Sequence, residues 1–361
     1  MRKTLAIVVL VVLLITAIAG CTQKPAATAG TPGSNAPAAP GAPESSDKII
    51  VGLSLPTLRE ASWQFAYDTM QEYAAANGIT MLAQAADADQ AQQTRQVEDL
   101  LTKGIDVLII GPQDGAAAAV IADMCKEEGV PVICYDRIIT NTQNVDYYAA
   151  INPRKLGELQ GQFIADHAKP GAIMLFAGAP DDSNSIHYFE GALEKIQPKI
   201  DDGTLKVIGG NTFEQCVTES WLPEKAQARA ENIIAGNPDA TVTAVLSPND
   251  GLAGGIIQAL KSNGVTDYVI SGQDAEIAAI QRLKTGEQSM TVFVSSKANL
   301  YRIVDMAYSV AKGEAVETNG VLNNVAKDVP AMLMEPLVMT KENWKSILEE
   351  NGLYDKAVHG E

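Results

Sequence analysis

Val130-Pro-Val-Ile-Cys-Tyr-Asp-Arg137 is the stretch that decides the fold. A short apolar, β-branched run entered from a helix that stops at Gly129 predicts a buried strand of a parallel sheet. Asp136 and Arg137 then stand just past its carboxyl end, where open α/β sheets bind their ligands. A carboxylate beside a guanidinium offers acceptors and donors together, the chemistry that holds the hydroxyls of an uncharged polyol such as a sugar. A solvated turn would place the same two ions there, so the other strand ends have to decide.

Upstream, Ile49-Ile-Val-Gly-Leu-Ser-Leu55 predicts a strand ended by Pro56, and a helix follows to the stop at Asn77-Gly78. A second strand spans 79–85. The next helix carries Val97, Leu100 and Leu101 and ends at Gly104, Val107-Leu-Ile-Ile110 is a third strand, and Asp114 is the expected N-cap of the helix through Glu127. Downstream the alternation restarts at 147–151, with a helix entered at Pro153. Further strands are expected at 172–177, 206–208, 242–246, 268–270, 291–293 and 336–339, with helical segments between them. Strands separated by helices of this length imply right-handed βαβ crossovers and parallel sheets, and two consecutive runs of them imply two α/β lobes.

At 361 residues the chain exceeds one typical domain, and 46% hydrophobic with 20% charged residues is an ordinary globular composition. The N-terminus departs from it. Arg2 and Lys3 precede an uncharged apolar run over 5–19, closed by Ile18-Ala-Gly-Cys21, which is the layout of a secretory signal over 1–20. A cysteine directly after the cleavage site resembles the bacterial lipobox, which implies lipidation of Cys21. Residues 21–47 are almost wholly Ala, Pro, Gly, Ser and Thr and predict a disordered tether. Without residues 1–20 the chain holds 25 basic against 44 acidic residues, a net charge of −19. Such a body repels nucleic acid and anionic lipid, so membrane contact is expected through the lipid anchor alone. Cys125, Cys134 and Cys216 cannot form a complete disulfide framework.

Motifs for catalysis are missing. There is no Gly-x-Gly-x-x-Gly after the first strand, no phosphate loop, no His-Glu-x-x-His and no Gly-x-Ser-x-Gly elbow. His167, His187 and His359 are scattered, and the acidic pairs Asp181-Asp182 and Asp201-Asp202 have no metal-ligand pattern around them. No enzyme activity, cofactor or metal is therefore expected. What recurs is a polar group at strand ends: Asp182 and Asn184 after 172–177, Asn249 and Asp250 after 242–246, Gln273 and Asp274 after 268–270. Each has the alternative role of helix N-cap, the favoured one for Asp250. Together, without a nucleophile or base, they point to a cleft that binds a hydroxyl-rich molecule and does not transform it. Trp63 and Trp221 could supply flat faces for a sugar ring or could pack into a core.

Val-Glu-Asp-Leu-Leu-Thr-Lys-Gly-Ile-Asp-Val-Leu-Ile-Ile (97–110), Cys-Tyr-Asp-Arg (134–137), Leu-Gly-Glu-Leu-Gln (156–160), Trp-Leu-Pro-Glu (221–224), Asn-Asp-Gly-Leu-Ala-Gly-Gly-Ile-Ile-Gln-Ala-Leu (249–260), Ile-Ser-Gly-Gln-Asp-Ala-Glu (270–276) and Lys-Asp-Val-Pro-Ala (327–331) carry a family resemblance. From Lys48 onward the chain resembles the sugar-binding proteins of bacterial ABC importers, of the type I periplasmic fold, in the D-xylose-binding and multiple-sugar-binding branch. The resemblance implies an α/β fold of two Rossmann-like lobes with parallel sheets, joined by a three-segment hinge near 149–152, 294–296 and 319–324. The N-terminal lobe would comprise 48–150 plus 295–320 and the C-terminal lobe 151–294 plus 321–361. It implies sugar contacts at Asp136, Arg137, Asn184, Trp221, Asn249 and Asp274, with Asp182, Trp63 and Asn152 as further candidates. The implied ligand is a monosaccharide, xylose, glucose or a related aldose. The implied partners are ABC permease membrane subunits, with a membrane sensor kinase as the alternative. The implied location is the periplasm or the outer face of the cytoplasmic membrane. Ser62 and Val294 depart from the branch, which has Arg and Lys there, and Arg59 and Lys297 are the candidate replacements.

Overall fold

A computed structural model describes residues 48–360 apart from residue 295. The signal segment 1–20, Cys21 and the tether 21–47 lie outside the described residues. In chain order the elements are β1 (Ile50–Leu55), α1 (Ala61–Ala76), β2 (Thr80–Ala85), α2 (Gln90–Thr102), β3 (Val107–Ile110), α3 (Ala119–Glu127), β4 (Val132–Tyr135), β5 (Tyr147–Ile151), α4 (Pro153–His167), β6 (Gly171–Leu175), α5 (Ser185–Asp201) and β7 (Leu205–Ile208). There follow α6 (Phe213–Cys216), a 3-10 turn (Glu219–Trp221), α7 (Pro223–Gly236), β8 (Val242–Leu246), α8 (Asp250–Ser262), β9 (Val269–Ile270), α9 (Ile277–Thr285), β10 (Thr291–Phe293) and α10 (Lys297–Ala311). The chain closes with β11 (Gly320–Asn323), β12 (Asp328–Met334), β13 (Leu337–Met339), α11 (Trp344–Glu350) and α12 (Lys356–His359). Among the described residues no helix is long and apolar enough to cross a membrane.

Two sheets carry the lobes. The first runs β11-β12-β5-β4-β3-β1-β2, parallel except for the β11–β12 hairpin, and the second runs β7-β6-β8-β9, parallel throughout. Fully buried runs such as Val107–Ile110 and Val132–Tyr135 sit in the middle of the first sheet, as strands covered on both faces must. One core packs around Leu53, Val107, Ile133 and Met332, and another covers the opposite face with Leu108, Ile110, Cys134 and Tyr148. The second sheet is sandwiched in the same way, with Met174, Val245 and Ile256 on one side and Ile173, Leu175 and Ile196 on the other.

Three crossings join the sheets: β5 to α4, β10 to α10, and β12 to β13, which pairs with β10. The first follows Ile151 and the second follows Phe293. The third lies at 335–336 and not at 319–324, and residues 321–334 belong with the first sheet instead of the C-terminal lobe. The reason is pairing: Ala331 to Met334 align in parallel with Tyr148 to Ile151, and β11 hangs on that strand.

Helix starts follow their caps. The Asn152 side chain accepts from Lys155 N ahead of Pro153, and Asn249 accepts from Leu252 N. Asn249, and not Asp250, is thus the N-cap of α8. Asp114 accepts from the backbone of Ala116 and Ala117 in a turn that precedes α3, so it does not cap that helix. Helices α4 and α5 meet backbone to backbone: a Cβ on Gly157 or Gly161 would overlap the main chain of Tyr188 or Ala192. That close approach sets where the first turn of α5, and Tyr188 on it, faces the cleft.

Candidate functional site

The carboxyl ends of strands from both sheets converge on one pocket. From the first lobe, Glu60 at the start of α1 and Ser62 and Trp63 in its first turn line the pocket, and the end of β4 contributes Tyr135, Asp136 and Arg137. From the second come Asp182 after β6, Tyr188 on α5, Trp221 on the 3-10 turn, Asn249 after β8, and Gln273 and Asp274 after β9; Val294, after β10, closes the wall.

Asp182 organises the seam between the two halves. Its Oδ2 lies 2.9 Å from Arg137 Nε in an ion pair that is almost fully buried, and the same oxygen accepts from Trp221 Nε1 at 3.1 Å. Its Oδ1 accepts from Asn184 N. Removing either partner of such a pair would leave an uncompensated buried charge. The Arg137 guanidinium also lies 5.4 Å over the Trp63 ring, which meets Tyr135 edge-on at 5.6 Å between centroids. A Cβ on Gly178 would overlap the Trp221 indole, so that ring is seated directly on backbone.

Asp136, Trp221 and Asp274 all have φ in the left-handed region, at 61°, 53° and 97°. For Asp136 the restraint is visible: its carbonyl accepts from Tyr148 Oη at 2.6 Å and from Asn184 Nδ2 at 2.8 Å. On the other side, buried Gln160 donates to the carbonyls of Pro248 and Gly272 and ties together the loops that carry Asn249 and Gln273. Asp250 accepts from Gln288 Nε2, Thr291 Oγ1 and Glu276 N, fixing the same wall from behind.

Burial, then the Asp182 carboxylate, push the Asp136 carboxyl up to about 7 against the pull of Arg137. Burial and the carboxyls of Glu276, Asp250 and Asp136 hold Asp274 well above the usual range. Burial alone would lower the Arg137 guanidinium, but Asp182 and Asp136 more than offset it and the net direction is upward.

The residues expected at the site are therefore brought together, except for Asn152, Asn184 and Asp250, the last of which braces the wall from behind. Asn152 is outside the pocket, its side chain spent on capping α4. Asn184 stands behind the lining and holds Asp136. Arg59 and Lys297 do not line the pocket either, and the Arg59 side chain bonds to Thr57. Tyr188, Glu60 and Tyr135 sit where an apolar helix face, a helix start or a strand residue is the ordinary reading of the sequence, and Gln273 stands out only as part of its strand-end run. The donor set suits hydroxyls, each of which both donates and accepts. Among the described residues no group of His, Cys, Asp and Glu could hold a metal ion.

A family model described as a periplasmic binding protein domain matches residues 51–315. A D-xylose-binding periplasmic protein of Haemophilus influenzae is 36% identical over 312 residues, covering 86% of this chain and 92% of that protein. A multiple sugar-binding periplasmic protein of Azospirillum brasilense is likewise 36% identical over 329 residues, covering 87% and 92%. Among solved structures, a carbohydrate transporter solute-binding protein of Chloroflexus aurantiacus in complex with D-glucose is similar at TM-score 0.82 and 33% identity, covering 86% of this chain and 98% of that one.

Proposed function

The chain belongs to the periplasmic binding protein domain family, and from that premise we propose that it captures an aldose, xylose, glucose or a close relative, between its two lobes outside the cytoplasm and delivers it to an ABC import permease. The observation that carries the reading is the pocket itself: polar strand ends from both sheets meet over it, with tryptophans on two sides. Asp136, Asp274 and Asn249 would take sugar hydroxyls, Arg137 would donate to a hydroxyl or ring oxygen, and Trp221 would stack on the C–H face. No nucleophile and base are paired there, so the ligand leaves as it entered. A permease is the partner we assign, because the glucose-bound relative is described as part of a carbohydrate transporter. Lipid on Cys21 would hold the protein at the membrane through the 21–47 tether.

The test is a thermal-shift and calorimetry panel of aldoses and non-sugars on the full-length chain. A ligand at a hundred times its Kd should raise apparent stability by about 2.7 kcal/mol. Silence with every monosaccharide, alongside binding of a non-sugar, would sink the reading and leave the fold untouched.

A further inference from the structure

We propose that the monosaccharide this pocket prefers carries a protonated amino group, an inference that rests on the sugar-capturing role above. The charge count of the lining leads there. Glu60, Asp136, Asp182 and Asp274 are carboxyls, and Arg137 is the sole cation among the lining residues. Arg137 and Asp182 neutralise each other in their buried pair. Glu60, Asp136 and Asp274 are left with no ion pair among the described residues.

Hydrogen-bond accounting points the same way. Gln273 lines the pocket at 7% exposure with its Oε1 unpartnered, and a Glu60 oxygen is buried without a partner. Asp274 receives one long contact from Gln273 Nε2 at 3.4 Å. Among the buried unpartnered atoms of the lining, two are acceptors and one, Arg137 Nε, is a donor that lies 2.9 Å from Asp182. A hydroxyl brings one donor and further acceptors, whereas an ammonium brings three donors, no acceptor and the missing charge. Burial holds Asp136 and Asp274 toward the protonated form, as expected of carboxyls lacking a counter-charge, and an ammonium supplies that charge. The nearby Trp221 and Tyr188 rings add faces that attract a cation. By the same reasoning, sugar acids and sugar phosphates are rejected.

Calorimetry on the full-length chain at neutral pH tests this with matched pairs: D-glucose and D-glucosamine, D-galactose and D-galactosamine, D-mannose and D-mannosamine, with D-glucuronate and N-acetyl-D-glucosamine as anionic and uncharged controls. In the pair whose parent sugar fits, the amino sugar should bind about tenfold more tightly, the difference between a charge-assisted and a neutral hydrogen bond. Both controls should bind more weakly than the amino sugar. Glu60→Gln and Asp274→Asn should each shrink the ratio of amino to neutral affinity, a readout that damage to the fold alone would not move. A neutral sugar that binds as tightly as its amino counterpart, or more tightly, overturns the inference while leaving sugar capture standing. Failure of every monosaccharide, amino or neutral, overturns both.

Discussion

At the residue scale, the pocket is assembled from side chains held in conformations they would not choose alone. A left-handed φ on a residue with a Cβ costs on the order of 1–3 kcal/mol, so Asp136, Trp221 and Asp274 persist because their surroundings over-determine them. Asp136 shows how: two donors grip its carbonyl and leave its carboxyl to face the cleft. Replacing Asp136 by Ala should weaken aldose binding by about 10- to 100-fold, the worth of a hydrogen bond to a charged group, as measured by calorimetry. The same carboxyl sets a pH dependence. Its value rises from 3.8 to about 7 on folding, so the folded state holds a proton that the unfolded chain releases. Stability is therefore fullest below the ordinary carboxyl value, falls as pH rises from about 4 to about 7, and levels off above that. In urea melts of the ligand-free protein, Asp136→Asn should flatten the fall between about pH 4 and about pH 7. An identical slope in wild type and variant would show that this carboxyl is solvated in the ligand-free protein. Asp136 and Arg137 were legible because a short buried strand announces its own end. Tyr188 was not, since an aromatic at helical spacing reads as core, and only the close packing of α4 on α5 turns it to the cleft.

At the element scale, that packing is the most exacting contact in the second lobe. Gly157, Gly161 and Gly191 let two helices touch along their main chains, where a methyl group has no room. Gly161→Ala should cost about 1–3 kcal/mol in urea denaturation, as overpacking does, and a midpoint equal to wild type would mean that the helices part without penalty. The elements that could be read in advance are those with local signals: Asn152 before Pro153, Asn249 before α8, unbroken apolar runs for β3 and β4. Strand β12 had none. Pro330 argues against a central strand, and it is tolerated because the parallel pairing with β5 begins only at Ala331. Its partner lies some 180 residues earlier in the chain, a distance over which no periodicity speaks. The third crossing that the resemblance implies, at 319–324, does not take this long-range pairing into account.

At the scale of the whole molecule, the two lobes meet outside the pocket as well as around it. Gln113 Nε2 donates to Asp181 Oδ2 at 3.2 Å, Gly115 N to Asp181 O at 3.2 Å, and Ile138 N to Ser183 Oγ at 3.0 Å. None of these residues lines the pocket. The loop before α5 therefore fastens onto the ends of β3 and β4, and these bonds add to whatever a bound ligand contributes to holding the lobes together. Such contacts contribute to affinity without contributing to choice. Asp181→Ala and Ser183→Ala should each weaken aldose binding by about two- to tenfold, the worth of a net hydrogen bond, and leave the order of preference among sugars unchanged. Calorimetry over the sugar panel measures both quantities at once. A changed order of preference would mean that the seam shapes the pocket and does more than latch it. Unchanged affinity would mean that these bonds form equally with the lobes apart, and closure would then rest on the buried Arg137–Asp182 pair and the ligand alone.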